Sequence, residues 1–262
     1  MSKLLALAMI ACALASGCAS LRAPTDMSAF DPISSARLTN GSEVAAPSGL
    51  AAFCSREPDY CTTSSMRARG GEKRAPAMVA FDLGEGVDGG ALPARAGPGL
   101  LELEPRIVLT GERWGELRRV NLAINQAITP GLDQVRYGLA EYWTMPITIG
   151  GHGAPAGDCE DYALEKRARL IALGWPAHAL ALAVAIAPQR GRHAVLIART
   201  DRGDFVLDNL YDEPRTLDSL SYQWLSLQSG PDLLSWASAR YENLPRARAR
   251  DVALVFAPSP LS

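Results

Sequence analysis

One cysteine, one histidine and one aspartate in the second half of the chain are spaced so that they could work as a nucleophile, its base and an orienting acid. They are Cys159, His193 and Asp208. A helix is expected to begin at or beside Cys159, and a helix N-terminus favours a thiolate. His193 opens one strand-like run and Asp208 closes the next, so a hairpin would bring the two within a residue or two of register. An imidazole held by a carboxylate can take a thiol proton and later return it to a leaving amine. Residue types alone leave a bland reading open. Cysteine is often simply a buried small hydrophobe, and Asp208-Asn209 is a common turn pair. The other two histidines, His152 in a glycine-rich stretch and His178 after a helix, read as surface residues.

The elements that must position these residues begin near Ile107. Thr110 can cap a helix carrying Trp114, Leu117, Val120, Ile124 and Ile128 on one stripe, ending before Pro130-Gly131. Asp158 can cap a second helix, whose apolar face is expected to be Leu164, Ala168, Ile171 and Ala172, stopped by Gly174 and Pro176. Three strand-like runs follow, 179–187, 193–200 and 204–207, with a turn at Asp201-Arg202-Gly203. Helix, helix, then antiparallel strands is an α+β order. Residues 19–100 are rich in Ala, Gly, Pro and Ser without a sustained period, and read as a low-complexity linker with short elements. The domain is expected over 101–262, which leaves 1–18 as a leader.

That leader has Lys3, the twelve-residue apolar run Leu4 to Ala15, then Ser16-Gly17-Cys18. It is shorter than the ~20 residues of a comfortable membrane span and has the layout of a secretory signal. Ala15-Ser16-Gly17-Cys18 also resembles a lipobox, with Cys18 the candidate lipidation site; simple cleavage is the alternative. The expected location is the periplasm, on an outer-membrane anchor if the lipid is present. In an oxidising compartment Cys54 and Cys61, within FCSREPDYC, are expected to form a disulfide, with free or metal-binding thiols as the other reading. Cys159 is then an odd thiol, a flag for reactivity. The net charge of −2 gives no electrostatic case for nucleic acid or an acidic membrane surface.

Local sequence is more specific than spacing. GDCEDYA (157–163), a helix ending in LGWP, HAVL (193–196) and FVLDNL (205–210) resemble the bacterial transglutaminase-like cysteine proteinases. The likeness runs upstream through RWGELRRVNLAINQAI and YGLAEYWTMP, downstream to Tyr222, Trp224 and Trp236, and extends to FCSREPDYC. The resemblance implies a papain-like, transglutaminase-like α+β fold, with the cysteine-bearing helix packed on an antiparallel sheet. It places the nucleophile on Cys159, the base on His193 and the acid on Asp208. It implies a periplasmic endopeptidase acting on an exported protein such as a surface adhesin, with a regulatory membrane protein as a further partner. Acyl transfer by the same triad (a transglutaminase or amidase) and a non-catalytic binding lipoprotein are the rival outcomes.

Asp158, Glu160 and Asp161 surround Cys159 with negative charge that should disfavour a thiolate. They either complement the helix dipole or hold a Ca²⁺ ion, which prefers carboxylate oxygens. The resemblance implies calcium as one of these two readings, since adhesin-processing members bind it through acids flanking the cysteine. Those members tend to carry a further aspartate three residues before the cysteine, where this chain has Ala156.

Overall fold

The computed structural model describes residues 34, 36–61, 106–150, 153–230 and 232–243. The expected signal and lipobox with Cys18, most of the linker and His152 lie outside these residues. In chain order the elements are β1 (Ala36–Val44), α1 (Ser48–Arg56), α2 (Gly111–Ala127), β2 (Thr129–Pro130), α3 (Asp133–Arg136), β3 (Ala156–Gly157), α4 (Cys159–Ala172), β4 (Leu180–Ala187), β5 (Gly191–Thr200), β6 (Gly203–Leu207), β7 (Arg215–Thr216), β8 (Gln223–Gln228) and β9 (Trp236–Asn243). Seven strands form one antiparallel sheet in the order β1-β9-β8-β4-β5-β6-β7, and β2 pairs with β3 in parallel. Among the described residues no helix is long and apolar enough to cross a membrane.

The expected α+β order holds. α2 begins at the Thr110 cap, whose hydroxyl accepts the Arg113 N–H at 3.2 Å, and buries Leu117, Val120 and Ile124 as the stripe required. β4 and the middle of β5 (Ala194–Ala198) are apolar and buried because both faces are covered, and they lie near the centre of the sheet. One face carries a cluster of Ala181, Ala183, Val195, Ile197, Val206, Leu217 and Leu227. Gly203, at φ 102°, makes the β5–β6 turn that L-residues rarely allow.

Two features lie outside the expected layout. β1, which precedes the expected 101–262 span, pairs with β9 along the edge of the same sheet. ARLTNGSEV has no apolar alternation over most of its length, as suits a solvated edge strand, so its own sequence did not mark it. The buried face of α4 also differs from the expected apolar stripe. Ala168 and Ile171 are half-exposed and Ala172 is exposed, whereas Glu160, Asp161, Glu165, Lys166 and Arg167 are buried beside Leu164 and Leu170. α4 packs against β5 and α2 and also carries the 144–148 segment, so polar positions are covered as well as apolar ones.

Candidate active site

α4 is the element on which the site is built. Asp161 and Glu165 are one turn apart on it and share a face. Asp161 Oδ1 accepts the Thr144 N–H at 2.8 Å; Glu165 Oε1 accepts the N–H groups of Ile147 and Thr148, both at 2.8 Å. Two buried carboxylates thereby hold the strip that presents Trp143 to the cleft. Tyr162 donates to the Ile128 carbonyl at 2.6 Å, tying α4 to the end of α2. Asn121 and Asn125, one turn apart on α2, donate to the carbonyls of Asp208, Tyr211 and Asp212 and so fix the loop that follows β6.

Cys159 is the first residue of α4 and Asp158 stands at the N-cap, as expected, but the Asp158 side chain makes no capping bond. The Cys159 thiol donates to Glu160 Oε2 at 3.1 Å, and its sulfur accepts the Ala194 N–H at 3.3 Å. That second contact places the thiol beside the residue following His193. Ring Nε2 of His193 lies 2.8 Å from Asp208 Oδ1. The register Leu196↔Leu207 puts Asp208 opposite Val195, so His193 is its diagonal neighbour on the same face, two residues out of register. Cys159 and His193 line one cleft of about 510 Å³, together with Trp143, Asp158, Glu160 and Arg192. Burial alone would raise the Asp208 carboxyl, but the hydrogen bond and charge of His193 outweigh it and hold the group below its ordinary value. Asp208 is therefore an acceptor, and His193 Nε2 carries the proton between them.

The acids divide differently from expectation. Asp158 and Glu160 come together with Asp133, their carboxylate oxygens within 4.8 Å of one another, while Asp161 faces Thr144 and Gly157 and is outside that group. Asp133 had no signal in the sequence: it lies 26 residues before Cys159 and reaches the site because β2 pairs with β3, Thr129 opposite Ala156. It supplies a third carboxylate in a chain that has Ala156 in place of a nearer one. Burial, then the hydrogen bond and charge of Asp158, push Glu160 to about 9; burial raises Asp133 to about 6. Burial, then the charge of Glu160, raises the Cys159 thiol. Without a counter-charge this cluster opposes the thiolate that the helix N-terminus favours.

Cys54 and Cys61 are joined; Cys54 lies in the last turn of α1, whose Leu50 and Phe53, just before the closed loop, are buried. Arg56 of α1 donates to the Trp143 carbonyl at 2.8 Å, linking the disulfide loop to the cleft wall. His178 lies in a short turn after α4 and does not line the cleft. Tyr222, which the residue pattern did not mark for chemistry, donates to Asp208 Oδ2 at 2.7 Å.

Residues 101–243 match a family described as bacterial transglutaminase-like cysteine proteinases. No curated protein matches the chain. Among solved structures, the chain is similar to LapG from Legionella pneumophila, at 26% identity over 43% of this chain and 61% of that one, with a TM-score of 0.36. An EGTA-treated form of LapG gives 27% identity, the same coverage and a TM-score of 0.36. A calcium-bound form gives 22% identity, 53% and 77% coverage, and a TM-score of 0.41. The chain thus spans 61% of the length of the first two structures.

Proposed function

Since the chain belongs to the bacterial transglutaminase-like cysteine proteinases, we propose that it is an exported cysteine endopeptidase working through Cys159, His193 and Asp208. The observation that carries this reading is the continuity of the site. Asp208, itself buried, holds His193 at 2.8 Å, and the Ala194 N–H next to His193 holds the Cys159 sulfur at 3.3 Å, with Cys159, His193 and Ala194 all lining one cleft.

His193 Nδ1 takes the thiol proton, and the Cys159 sulfur attacks the substrate carbonyl carbon. The C–N bond breaks as His193 returns the proton to the leaving amine, giving a thioester and a new N-terminus. Water then attacks the thioester, with His193 as base, releasing the carboxylic acid and the free thiol. The Cys159 N–H, at the first residue of a helix and so outside the helical ladder, is the proposed oxyanion donor. Trp143 lines the same cleft.

Asp133, Asp158 and Glu160 fit a hard divalent cation. All three are carboxylates with converging oxygens, and Oδ1 of Asp133 and Oδ1 of Asp158 are buried without a hydrogen-bond partner. When bound there, Ca²⁺ supplies positive charge beside the nucleophile and relieves the repulsion that holds the thiol protonated. The substrate is an extended stretch of an exported or surface protein, and the location is the periplasm, with Cys18 as the lipid anchor. A regulatory membrane protein is a further proposed partner.

Iodoacetamide labelling of the purified protein across pH, mapped to Cys159 by mass spectrometry, tests the reading. Labelling faster than a free thiol near neutral pH, and slowed by His193→Ala, is expected. Labelling at the rate of an ordinary thiol, indifferent to His193, would remove it. With a protein substrate, new termini mark hydrolysis and crosslinks mark acyl transfer.

A further inference from the structure

Asp208 has two oxygens, and the triad uses only one. Oδ1 accepts from His193 and, at 2.9 Å, from the Leu210 N–H. Oδ2 would be a buried anionic oxygen without a partner, since Asp208 is 1% exposed, were it not for the phenol of Tyr222 at 2.7 Å. A carboxylate anchored through one oxygen can swing about its last torsion, which has a broad profile. Anchored through both, it has one orientation.

Sheet register explains how a residue 14 positions away reaches this oxygen. Trp224 on β8 stands opposite Ala185 on β4, and Ala185 stands opposite His193 on β5, so the three form one row across the sheet. Tyr222 lies two residues before Trp224, on the same face. The β4 positions beneath it are small, Ala185 and Ala187. That shallow stretch lets the phenol ring lean across β4, where it meets the His193 ring edge-on at 6.0 Å and packs on Trp224 at 5.7 Å. A larger residue at 185 would fill the space the ring crosses.

We propose that Tyr222 is a positioning residue of the peptidase: by binding Asp208 Oδ2 it fixes the carboxylate that orients His193, and so holds the imidazole in one orientation in the cleft it shares with Cys159. This rests on the cysteine-peptidase reading and adds a fourth residue to the triad. Tyr222 touches neither substrate nor the reacting atoms.

The test uses the purified protein and two measurements that need no substrate. One is the exchange with water of the His193 Nε2 proton, read by NMR with ¹⁵N-labelled histidine. The other is the rate at which iodoacetamide alkylates Cys159. Tyr222→Phe keeps the ring and deletes the hydroxyl, so the fold is retained. It should speed Nε2 proton exchange roughly tenfold, the worth of a charge-assisted hydrogen bond, and slow alkylation several-fold. Trp224→Phe loosens the same aromatic pair without touching Asp208; it should lower Tm and leave both rates in place. Wild-type exchange and alkylation in Tyr222→Phe would overturn the proposal and leave the peptidase reading standing. So would equal acceleration in Trp224→Phe, which would assign the effect to packing. A wild-type thiol no more reactive than a free one removes the peptidase reading, and this proposal with it.

Discussion

Replacing Asp208 separates what its charge does from what its hydrogen bonds do. Three donors converge on it: His193 at 2.8 Å, Leu210 at 2.9 Å and Tyr222 at 2.7 Å. Asp208→Ala orphans all three in a buried site, a loss of roughly 3–5 kcal/mol of stability. Asp208→Asn keeps the shape. Its amide oxygen can serve His193 and Leu210, while the Tyr222 hydroxyl must turn and accept from the amide nitrogen, which limits the loss to about 1–2 kcal/mol. Both variants remove the charge that stabilises an imidazolium. At 2.8 Å and an effective dielectric of 20, that attraction is at most about 6 kcal/mol. A third of it, about 2 kcal/mol after screening through the open cleft, is roughly a 30-fold drop in the thiolate–imidazolium pair. Urea unfolding should therefore rank wild type above Asn and Asn well above Ala. Alkylation of Cys159 at neutral pH should fall about 30-fold or more in both variants. Wild-type alkylation in Asp208→Asn would show that the carboxylate charge is not what activates His193, and the argument from the ion pair would fail.

Calcium added to EGTA-stripped protein should raise both the alkylation rate of Cys159 and Tm, by about 2.7 kcal/mol of stability at a hundredfold excess over Kd. Asp133→Asn should remove most of both responses while preserving the metal-free fold; an unchanged response would exclude Asp133 from the site. Lys166 is fully buried on α4, its Nζ has no hydrogen-bond partner, and burial lowers it from 10.5 to about 7, with the Asp208 charge acting the other way and the Tyr162 ring 5.9 Å away. Between pH 7 and 10.5 the unfolded chain binds a proton that the folded chain does not, so stability rises with pH across that window and the penalty is complete below it. Lys166→Met should add about 1–4 kcal/mol at pH 6 and flatten that rise, as read by urea unfolding at pH 6, 8 and 10; parallel pH curves for the two proteins would refute it.

Much of the site was legible in the chain because it depends on local rules. The Thr110 cap and its apolar stripe define α2, and the start of α4 at Cys159 follows from the acidic, glycine-preceded turn before it. The Asp201–Gly203 turn sets the β5–β6 register, and with it the meeting of His193 and Asp208. Each of these is decided by hydrogen bonds and side-chain periods within a dozen residues or so. Other features depended on contacts that no local pattern encodes. β1 joins the sheet through β9, about 200 residues away, so its polar sequence is explained by an edge position and not by a period. Asp133 joins Asp158 and Glu160 only because a two-residue parallel pairing brings its loop to the start of α4. Asp161, read from the sequence as a candidate metal ligand, and Glu165, unremarked there, accept the N–H groups that hold the 144–148 strip. Tyr222, just before β8, reaches Asp208, just after β6, over a sheet face that carries small alanines on β4. The sequence by itself marked Cys159, His193 and Asp208 as the proposed nucleophile, base and orienting acid and placed the elements that carry them, since those rest on short-range geometry. Which further side chains complete the charge around the thiol and hold the acid in place was decided by strand order and packing, because only the folded sheet makes those distant residues neighbours.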